Sequence, residues 1–282
     1  MKIVVVYNAK SGSALAKSEL KKLFTKHAVA IEKYIDITSG FPKNLQPFIE
    51  KSYIVVTIGG DGTLSSVANE IAGSTAIFAP LPGGTLNHFT KDLGIPQDLD
   101  GAVQNIAKMH IKKIDVATIN DTVFLNNSSL GIYPTSLQFR SSTGDKIGKW
   151  PAAVAGFLKA LFHYKLYSIT INGDTFKTPF IFIGNNDYHL TDMPSGGRRY
   201  INKGILSIYA VKTGSRLEIL KQLFYMVTRR FDMVTKIETW TAPSITIHTK
   251  RTAVSVSRDG ELQKMTSPLE YKVLAGALNV IV

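Results

Sequence analysis

The chain has 282 residues, of which 44% are hydrophobic, so it is long enough for two domains with apolar cores and far from a disordered composition. It contains no cysteine, which excludes disulfide scaffolds, cysteine-ligated zinc and thiol catalysis and fits a reducing cytoplasm. The net charge of +12, from 33 basic and 21 acidic residues, predicts an anionic partner such as a phosphate-rich ligand, a nucleic acid or an acidic membrane surface.

The first 120 residues alternate between two hydrophobic periodicities. Apolar or alternating runs predict strands at 3–6, 29–35, 53–58, 76–79 and 112–119. Helical spacing of apolar residues predicts helices at 14–24, 45–49, 64–72 and 98–108. This alternation predicts a Rossmann-like parallel sheet with helices on both faces, and the ligands of such sheets bind at the carboxyl ends of the strands.

Past Asn120 the pattern changes to short strands separated by Gly, Asn, Asp and Pro, which is typical of an antiparallel sheet or sandwich. Helices are predicted within it at 147–163 and 215–229. The closing segment "YKVLAGALNVIV" is apolar enough to pack on the first domain. We therefore expect an α/β domain over 1–120, with 270–282 packing back on it, and a β-rich domain over 121–269.

Three glycine-containing turns follow predicted strands, at "NAKSG" (8–12), "GGDGT" (59–63) and "PGGTLN" (82–87). Glycines allow positive φ angles and let a ligand approach the main chain closely. The first-turn N–H groups of a following helix point outward and favour an anion. These turns lack the Lys-Ser/Thr ending of the common ATPase loop and the spacing of the dinucleotide fingerprint. Together they predict a phosphate cradle.

Three acidic residues lie in or beside glycine-containing turns. Asp61 lies inside the cradle, either as a turn or cap residue or as a carboxylate that meets phosphate through Mg²⁺. Asp259 begins an Asp-Gly hairpin turn, and Glu261 follows it as a candidate base or metal ligand. The hydroxyls of Thr63 and Thr85 are candidates for helix N-caps, for phosphate donors, or for both.

The motifs resemble the diacylglycerol kinase catalytic family, whose relatives include bacterial soluble lipid kinases and the sphingosine and ceramide kinases. The resemblance rests on "NAKSG" (8–12), "GGDGTL" (59–64), "LPGGTLNHF" (81–89), "DLGIP" (92–96), "FLNNSSLG" (124–131), "IGNN" (183–186), "KGILSIYAV" (203–211) and "RDGEL" (258–262). The Gly-Gly-Asp-Gly-Thr turn is shared with NAD kinases, whereas "LPGGTLN" and "DGE" favour the lipid-kinase branch.

The resemblance implies an ATP-binding first domain, a lipid-binding second domain, and Mg²⁺ with ATP. Glu261 would accept the hydroxyl proton, and Asp61 and Asp259 would lie near the metal and the transferred phosphate. The residues expected to contact ATP, by resemblance or by their place in the turns, are Asn8, Ser11, Gly12, Thr38, Gly59, Gly60, Asp61, Gly62, Thr63, Leu64, Ser65, Gly84, Thr85 and Asn87.

Four residues, at three places in the chain, depart from the family pattern. Ser65-Ser66 replaces a usual Asn-Glu, His88 replaces an Asp, and Lys203 replaces an acid linked to a structural Mg²⁺ in bacterial members. A lysine cannot bind Mg²⁺, although its ammonium group can take the same place electrostatically. Besides a lipid kinase, the sequence therefore leaves open a non-catalytic nucleotide- or lipid-binding member and a NAD kinase-like enzyme.

The expected partner is a lipid substrate at an anionic membrane surface. Nucleic acid is not expected, because no recognition helix, zinc finger or aromatic RNA-binding motif is present. No window reaches the roughly 20 apolar residues of a membrane span, so we expect a cytoplasmic, peripherally membrane-associated protein. The apolar stretch 150–164 is a core helix, a wall of the lipid cleft or a membrane-facing element. A second copy of the chain is a further candidate partner.

Overall fold

The computed structural model describes residues 2–10, 16–131, 166–171, 174–188, 198, 200–211, 237–249 and 252–282, with six further residues between 215 and 225. Ser11, Gly12, the predicted helix at 147–163 and the apolar stretch 150–164 lie outside the described residues. The predicted helix at 215–229 lies outside them except for those six residues.

The elements of the first 120 residues follow the predicted alternation. The strands are β1 (Ile3–Tyr7), β2 (Lys33–Asp36), β3 (Ile54–Gly59), β4 (Ile77–Pro82) and β5 (Ile111–Ile119). The helices are α1 (Lys17–Lys26), α2 (Gln46–Ile49), α3 (Asp61–Ile71), α4 (His88–Asp92) and α5 (Leu99–Lys108). Each of the nine elements predicted there is found with shifted ends, and the short α4 is added.

The rest of the described chain is made of strands and turns, apart from the residues between 215 and 225. The strands are β6 (Thr122–Phe124), β7 (Asn127–Gly131), β8 (Tyr167–Ile171), β9 (Asp174–Thr178), β10 (Phe180–Asn185), β11 (Leu206–Val211), β12 (Ile237–Ala242), β13 (Ser244–Ile247), β14 (Ala253–Arg258), β15 (Glu261–Thr266) and β16 (Leu269–Ile281). The β-rich pattern predicted after residue 120 is thereby confirmed.

The first sheet has the order β2-β1-β3-β4-β16-β5-β6, with β13 paired to β16. Strands β1 to β4 are parallel, as predicted, and the end of β16 joins β4 in parallel through Asn279 and Val280. The pairs of β16 with β5, of β5 with β6 and of β13 with β16 are antiparallel, so the sheet is mixed rather than purely parallel. The cause is the insertion of β16, whose buried Leu278 and Val280 fill the place beside β4.

The second sheet is antiparallel throughout and has the order β12-β11-β10-β7-β14-β15. Apolar side chains of one of its faces, among them Leu130, Ile181 and Val256, pack with Phe124 and Tyr271 of the first sheet in a second core. Because β6 and β13 belong to the first sheet although they lie within 121–269, the domain boundaries at 120 and 269 stay predictions.

Helix α3 begins at Asp61, within the second glycine turn, and this turn lies at the carboxyl end of β3. Its buried side chains Leu64, Val67, Ala68 and Ile71 recur at the spacing of one helical face, and they hold α3 on the first sheet. The strands β1, β3 and β4 are neighbours, so their carboxyl ends and the turns that follow lie at one edge of the sheet.

Candidate functional site

The glycines of the second and third turns pack against each other. The Gly83 N–H donates to the Gly59 carbonyl at 3.0 Å, and a Cβ added to Gly84 would lie 2.5 Å from the Gly60 Cα. None of these four glycines has a positive φ angle, so the first of the two reasons given for them from the sequence is wrong. Gly83 and Gly84 are required because a side chain on either would collide with the main chain of the second turn. A Cβ on Gly59 would instead meet the Thr63 side chain at 2.6 Å, and one on Gly60 would make only ordinary contact, 3.4 Å from the Gly84 Cα.

The first turn of α3 carries no side-chain cap. Gly60 is the N-cap residue, and it has no side chain that could satisfy the outward-pointing N–H groups. Thr63, expected as a possible cap, is instead buried, and its Oγ1 lies 3.4 Å from the donating Nδ2 of Asn8. The start of α3 is therefore able to receive an anion.

The third turn is closed by an amide side chain. Asn87 is the N-cap of α4, with a left-handed backbone, and its Oδ1 accepts the N–H of Gly84 at 2.8 Å. Thr85 is exposed and caps no described helix. The first and second strands end nearby: Asp36 Oδ1 accepts the N–H groups of Thr38 at 3.0 Å and Ala9 at 3.5 Å.

Asp61 joins three segments of the chain. Its Oδ2 accepts the His88 N–H at 3.2 Å, and its Oδ1 accepts the Phe89 N–H at 3.0 Å. The Asn126 side chain, from the loop before β7, donates to the same Oδ1 at 3.2 Å. Asp61 therefore caps α4 from outside that helix and links the first sheet to the second.

Asp259 is a buried carboxylate with every acceptor site filled. Its Oδ2 accepts the Ser65 hydroxyl at 2.6 Å and the Leu125 N–H at 2.8 Å. Its Oδ1 accepts the N–H groups of Asn126 at 2.8 Å and Asn127 at 3.0 Å. Burial raises the pKa of Asp259, and these donors oppose that shift. A carboxylate with four donors has no lone pair left for Mg²⁺, so this geometry does not fit the predicted metal role.

Glu261 reaches from the second sheet to the start of α3. A Cβ added to Gly62 would overlap Glu261 Oε1 and lie 2.7 Å from its Cδ, so the carboxylate rests on the Gly62 main chain. Glu261 itself is exposed. The structure thus brings Glu261 next to the residue that follows Asp61.

Two residues expected to contact ATP have side chains that point elsewhere. Leu64 is fully buried in the first core. Ser65 is also buried, and its hydroxyl is directed to Asp259 and, at 3.4 Å, to the Val123 carbonyl. Only their main-chain atoms are available to a ligand at the strand ends.

Sequence reasoning missed a buried ion pair behind Asp61. Arg198 Nε lies 2.7 Å from Asp92 Oδ2, with the two side chains 1% and 2% exposed. The guanidinium also donates to the Leu125 carbonyl at 2.6 Å and to Asn126 Oδ1 at 3.2 Å. Burial raises the pKa of Asp92, and Arg198 opposes the shift. A continuous polar chain therefore runs from Asp92 through Arg198 and Asn126 to Asp61.

Lys203 and His88, which also depart from the family pattern, lie in surroundings that differ from each other. Lys203 Nζ lies 2.6 Å from Asp187 Oδ2 and 4.2 Å from the centre of the Tyr200 ring, so an ammonium group is present at this position. His88 Nδ1 is buried without a hydrogen-bond partner. Over the described ranges, no three His, Cys, Asp or Glu side chains are grouped so that they could hold a metal ion.

Comparisons with known proteins agree with the resemblance. The family model of the diacylglycerol kinase catalytic domain matches residues 2–119. Diacylglycerol kinases of Staphylococcus aureus strains JH9 and Newman are 30% identical over 164 residues, which cover 54% of this chain and 51% of theirs. The chain thus spans about half the length of the curated relatives that it matches. The predicted resemblance to the diacylglycerol kinase catalytic family is confirmed.

Solved structures share the fold. One from Bacillus anthracis str. Sterne, a candidate diacylglycerol kinase, has a TM-score of 0.75 at 24% identity, covering 99% of this chain and 97% of its own. An NAD kinase from Archaeoglobus fulgidus in complex with ATP has a TM-score of 0.50 at 12% identity, covering 99% of this chain and 92% of its own. The predicted fold, an α/β part followed by a β-rich part, is confirmed.

Proposed function

We propose that this protein, whose residues 2–119 match the diacylglycerol kinase catalytic domain, is an ATP-dependent lipid kinase. It would transfer the γ-phosphoryl group of ATP to the hydroxyl of a membrane lipid such as diacylglycerol. One observation carries the proposal: the exposed Glu261 carboxylate, from the second sheet, rests on Gly62 in the uncapped first turn of α3.

The glycine turns would bind the phosphates of ATP. The N–H groups at the start of α3 and the helix dipole favour an anion there. Asn8, Thr38, Thr85 and Asn87 stand at the neighbouring strand ends, where they would border the nucleotide. The ATP complex of the NAD kinase with the same fold supports this assignment.

Glu261 would accept the proton of the attacking lipid hydroxyl. A general base has to lie within hydrogen-bond reach of the group that it deprotonates, and an exposed carboxylate beside the phosphate cradle meets that condition once lipid is bound. Phosphoryl transfer depends mostly on positioning and on neutralisation of charge. The turns and one acid therefore supply most of what this reaction needs from the protein.

Asp61 would act mainly by holding the cradle together. Its hydrogen bonds to α4 and to Asn126 fix the third turn beside the second. Asp259 would have the corresponding role for the hairpin that carries Glu261. We expect Mg²⁺ as the counter-ion of the ATP phosphates, but the described residues do not form a site for a resident ion, and we assign it no step.

The test is a phosphorylation assay with γ-labelled ATP against a panel of lipids with a free hydroxyl, with NAD as a further acceptor. The proposal expects labelled lipid from the wild-type protein and about a hundredfold less from Glu261→Gln. Labelled NADP without labelled lipid would instead assign an NAD kinase-like activity. ATP binding in calorimetry without any labelled product would assign the non-catalytic alternative.

A further inference from the structure

Asn126 joins the two sheets beside the candidate site. Its side-chain Nδ2 donates to Asp61 Oδ1 at 3.2 Å, and Asp61 is the first residue of α3 on the first sheet. Its main-chain N–H donates to Asp259 Oδ1 at 2.8 Å, and Asp259 lies in the turn of the hairpin that carries Glu261. Asn126 is buried. A single buried residue therefore connects the phosphate cradle with the hairpin of the proposed base.

The side-chain amide of Asn126 fits its surroundings in one orientation only. An amide accepts hydrogen bonds through its oxygen and donates them through its NH₂ group, whereas an ionised carboxylate only accepts. The NH₂ group must therefore face Asp61, and the oxygen must face a donor. Arg198 Nη2 is that donor, at 3.2 Å from Asn126 Oδ1. Arg198 thus fixes the orientation in which Asn126 binds Asp61.

Arg198 is held in place by Asp92 and by the main chain. Its main-chain N–H and its Nε both donate to the Asp92 carboxylate, at 3.3 Å and 2.7 Å. Its Nη1 donates to the carbonyl of Leu125, the residue before Asn126, at 2.6 Å. The donors of a guanidinium group have a fixed geometry, so these contacts leave Nη2 directed at Asn126. A lysine has a single ammonium group, which could pair with Asp92 but not also reach the amide.

We propose that Arg198 is a positioning residue of the phosphoryl-transfer reaction, because through Asn126 it sets the distance between the phosphate cradle and Glu261. This inference rests on the proposed lipid kinase function. The hydrogen bonds of Asp61 to α4 do not involve Asn126, so the cradle keeps its shape without it. The connection between the cradle and the hairpin is lost instead, and a displacement of about 1 Å at a reacting group can cost about a hundredfold in rate.

The main test is Arg198→Lys, which keeps a positive charge beside Asp92 and removes the donor to Asn126. We expect kcat for lipid phosphorylation to fall about tenfold, while the Kd for ATP in calorimetry stays within about twofold of the wild-type value. The double variant Arg198→Lys/Asn126→Ala should have the kcat of Asn126→Ala alone, because Arg198 acts through this amide. Wild-type kcat in Arg198→Lys, or additive losses in the double variant, would overturn the proposal.

Two further variants separate positioning from stability. Asp92→Leu/Arg198→Met removes both buried charges and also leaves Asn126 without its donor, so its Tm should lie well above that of Arg198→Met while its kcat stays low. Thr178→Val removes a buried hydroxyl near the start of β10, whereas the end of this strand contacts Asn126, so it should lower Tm and leave kcat unchanged. If kcat instead follows Tm across these variants, Arg198 has only a structural role and the proposal is wrong.

Hydrogen exchange of side-chain amides, followed by NMR, tests the inference without any turnover. The NH₂ protons of Asn126, assigned with Asn126→Ala, should exchange with water about tenfold faster in Arg198→Lys than in the wild type. Those of Gln97, which donates to the Ile95 carbonyl at 2.8 Å, are the control and should be unchanged. If no lipid is phosphorylated but Asn126 exchanges faster in the variant, the kinase proposal fails and the orientation of Asn126 by Arg198 stands. Unchanged exchange of Asn126 would overturn the role of Arg198 whether or not the protein is active.

Discussion

The acids Asp259 and Glu261 have opposite surroundings although one residue separates them. The Asp259 carboxylate accepts four hydrogen bonds. In Asp259→Asn the side-chain NH₂ group would face some of these donors and leave one or more of them unpaired. We expect this change to lower the free energy of unfolding by about 3 kcal/mol, measured by urea denaturation. Asp121→Asn, at an exposed pair with Lys272, is the control and should change it by less than about 0.5 kcal/mol. Equally small changes in the free energy of unfolding for Asp259→Asn and Asp121→Asn would contradict the structural role of Asp259.

The exposed Glu261 is expected to matter for turnover and not for stability. Glu261→Gln keeps the shape of the side chain and removes the base, so turnover should fall by about a hundredfold or more while ATP affinity changes little. Steady-state kinetics and calorimetry of ATP binding measure the two effects. Glu270→Gln, another exposed glutamate, should leave both unchanged. Near-normal turnover of Glu261→Gln would remove this residue from the mechanism.

Gly62 offers a change that moves Glu261 without altering it. The Cβ of Gly62→Ala would displace the end of the flexible Glu261 side chain, so the fold should survive and turnover should fall by about tenfold or more. Gly84→Ala is the contrasting variant, because its Cβ would meet the Gly60 main chain and disturb the cradle itself. We expect weaker ATP binding in calorimetry for Gly84→Ala and little change for Gly62→Ala. Weaker ATP binding by Gly62→Ala than by Gly84→Ala would show that the phosphates bind elsewhere.

At the scale of elements, the ion pair of Asp92 and Arg198 ties α4 to the loop before β7. Arg198→Met leaves the Asp92 charge buried and alone, so it should destabilise the protein by about 3 to 5 kcal/mol in urea denaturation. The double variant Asp92→Leu/Arg198→Met removes both charges and should recover a large part of that loss. Lys26→Met, which breaks an exposed pair with Asp100, should have almost no effect. An additive double variant would show that the pair is not coupled.

The sequence predicted the helices and strands themselves better than it predicted which of them lie side by side in the folded protein. Strands and helices of the first 120 residues follow from local periodicity, and so does the position of the glycine turns at strand ends. The insertion of β16 between β4 and β5 depends on pairing between distant segments, which periodicity does not specify. The same limit hid the buried state of Arg198, which lies 106 residues from its partner Asp92 in the sequence.

The sequence predicted those parts of the candidate site that a short motif specifies. The proximity of Asp61 and Glu261 was expected from the family resemblance, and the contact of Glu261 with Gly62 agrees with it. The saturation of Asp259 was not predictable, because an Asp-Gly turn looks the same in sequence whether its carboxylate binds amides or a metal. The orientation of Ser65 toward Asp259 likewise depends on the second sheet, which a local pattern does not reveal.

At the scale of the whole molecule, we propose that the net charge of +12 attaches the protein to an anionic membrane. Within the described residues no helix is long and apolar enough to cross a membrane. We expect sedimentation with anionic vesicles at low salt and release at about 1 M salt, where the Debye length is only about 3 Å. Neutral vesicles are the control. Equal sedimentation with both kinds of vesicle at low salt would show that charge does not direct the binding.

The strand β16 has a consequence for how the molecule reaches its folded state. It pairs with β13 near its start and with β4 near its end, and its side chains enter both cores, as Tyr271 and Val280 show. It also follows every other described strand in the chain, so the edge of β4 stays unpaired until this late segment docks. Neither core is complete before that step, and contacts between segments so distant in sequence form slowly. The phosphate cradle of the first sheet and the hairpin of the second sheet that carries Glu261 are therefore expected to mature together, in one late and cooperative event.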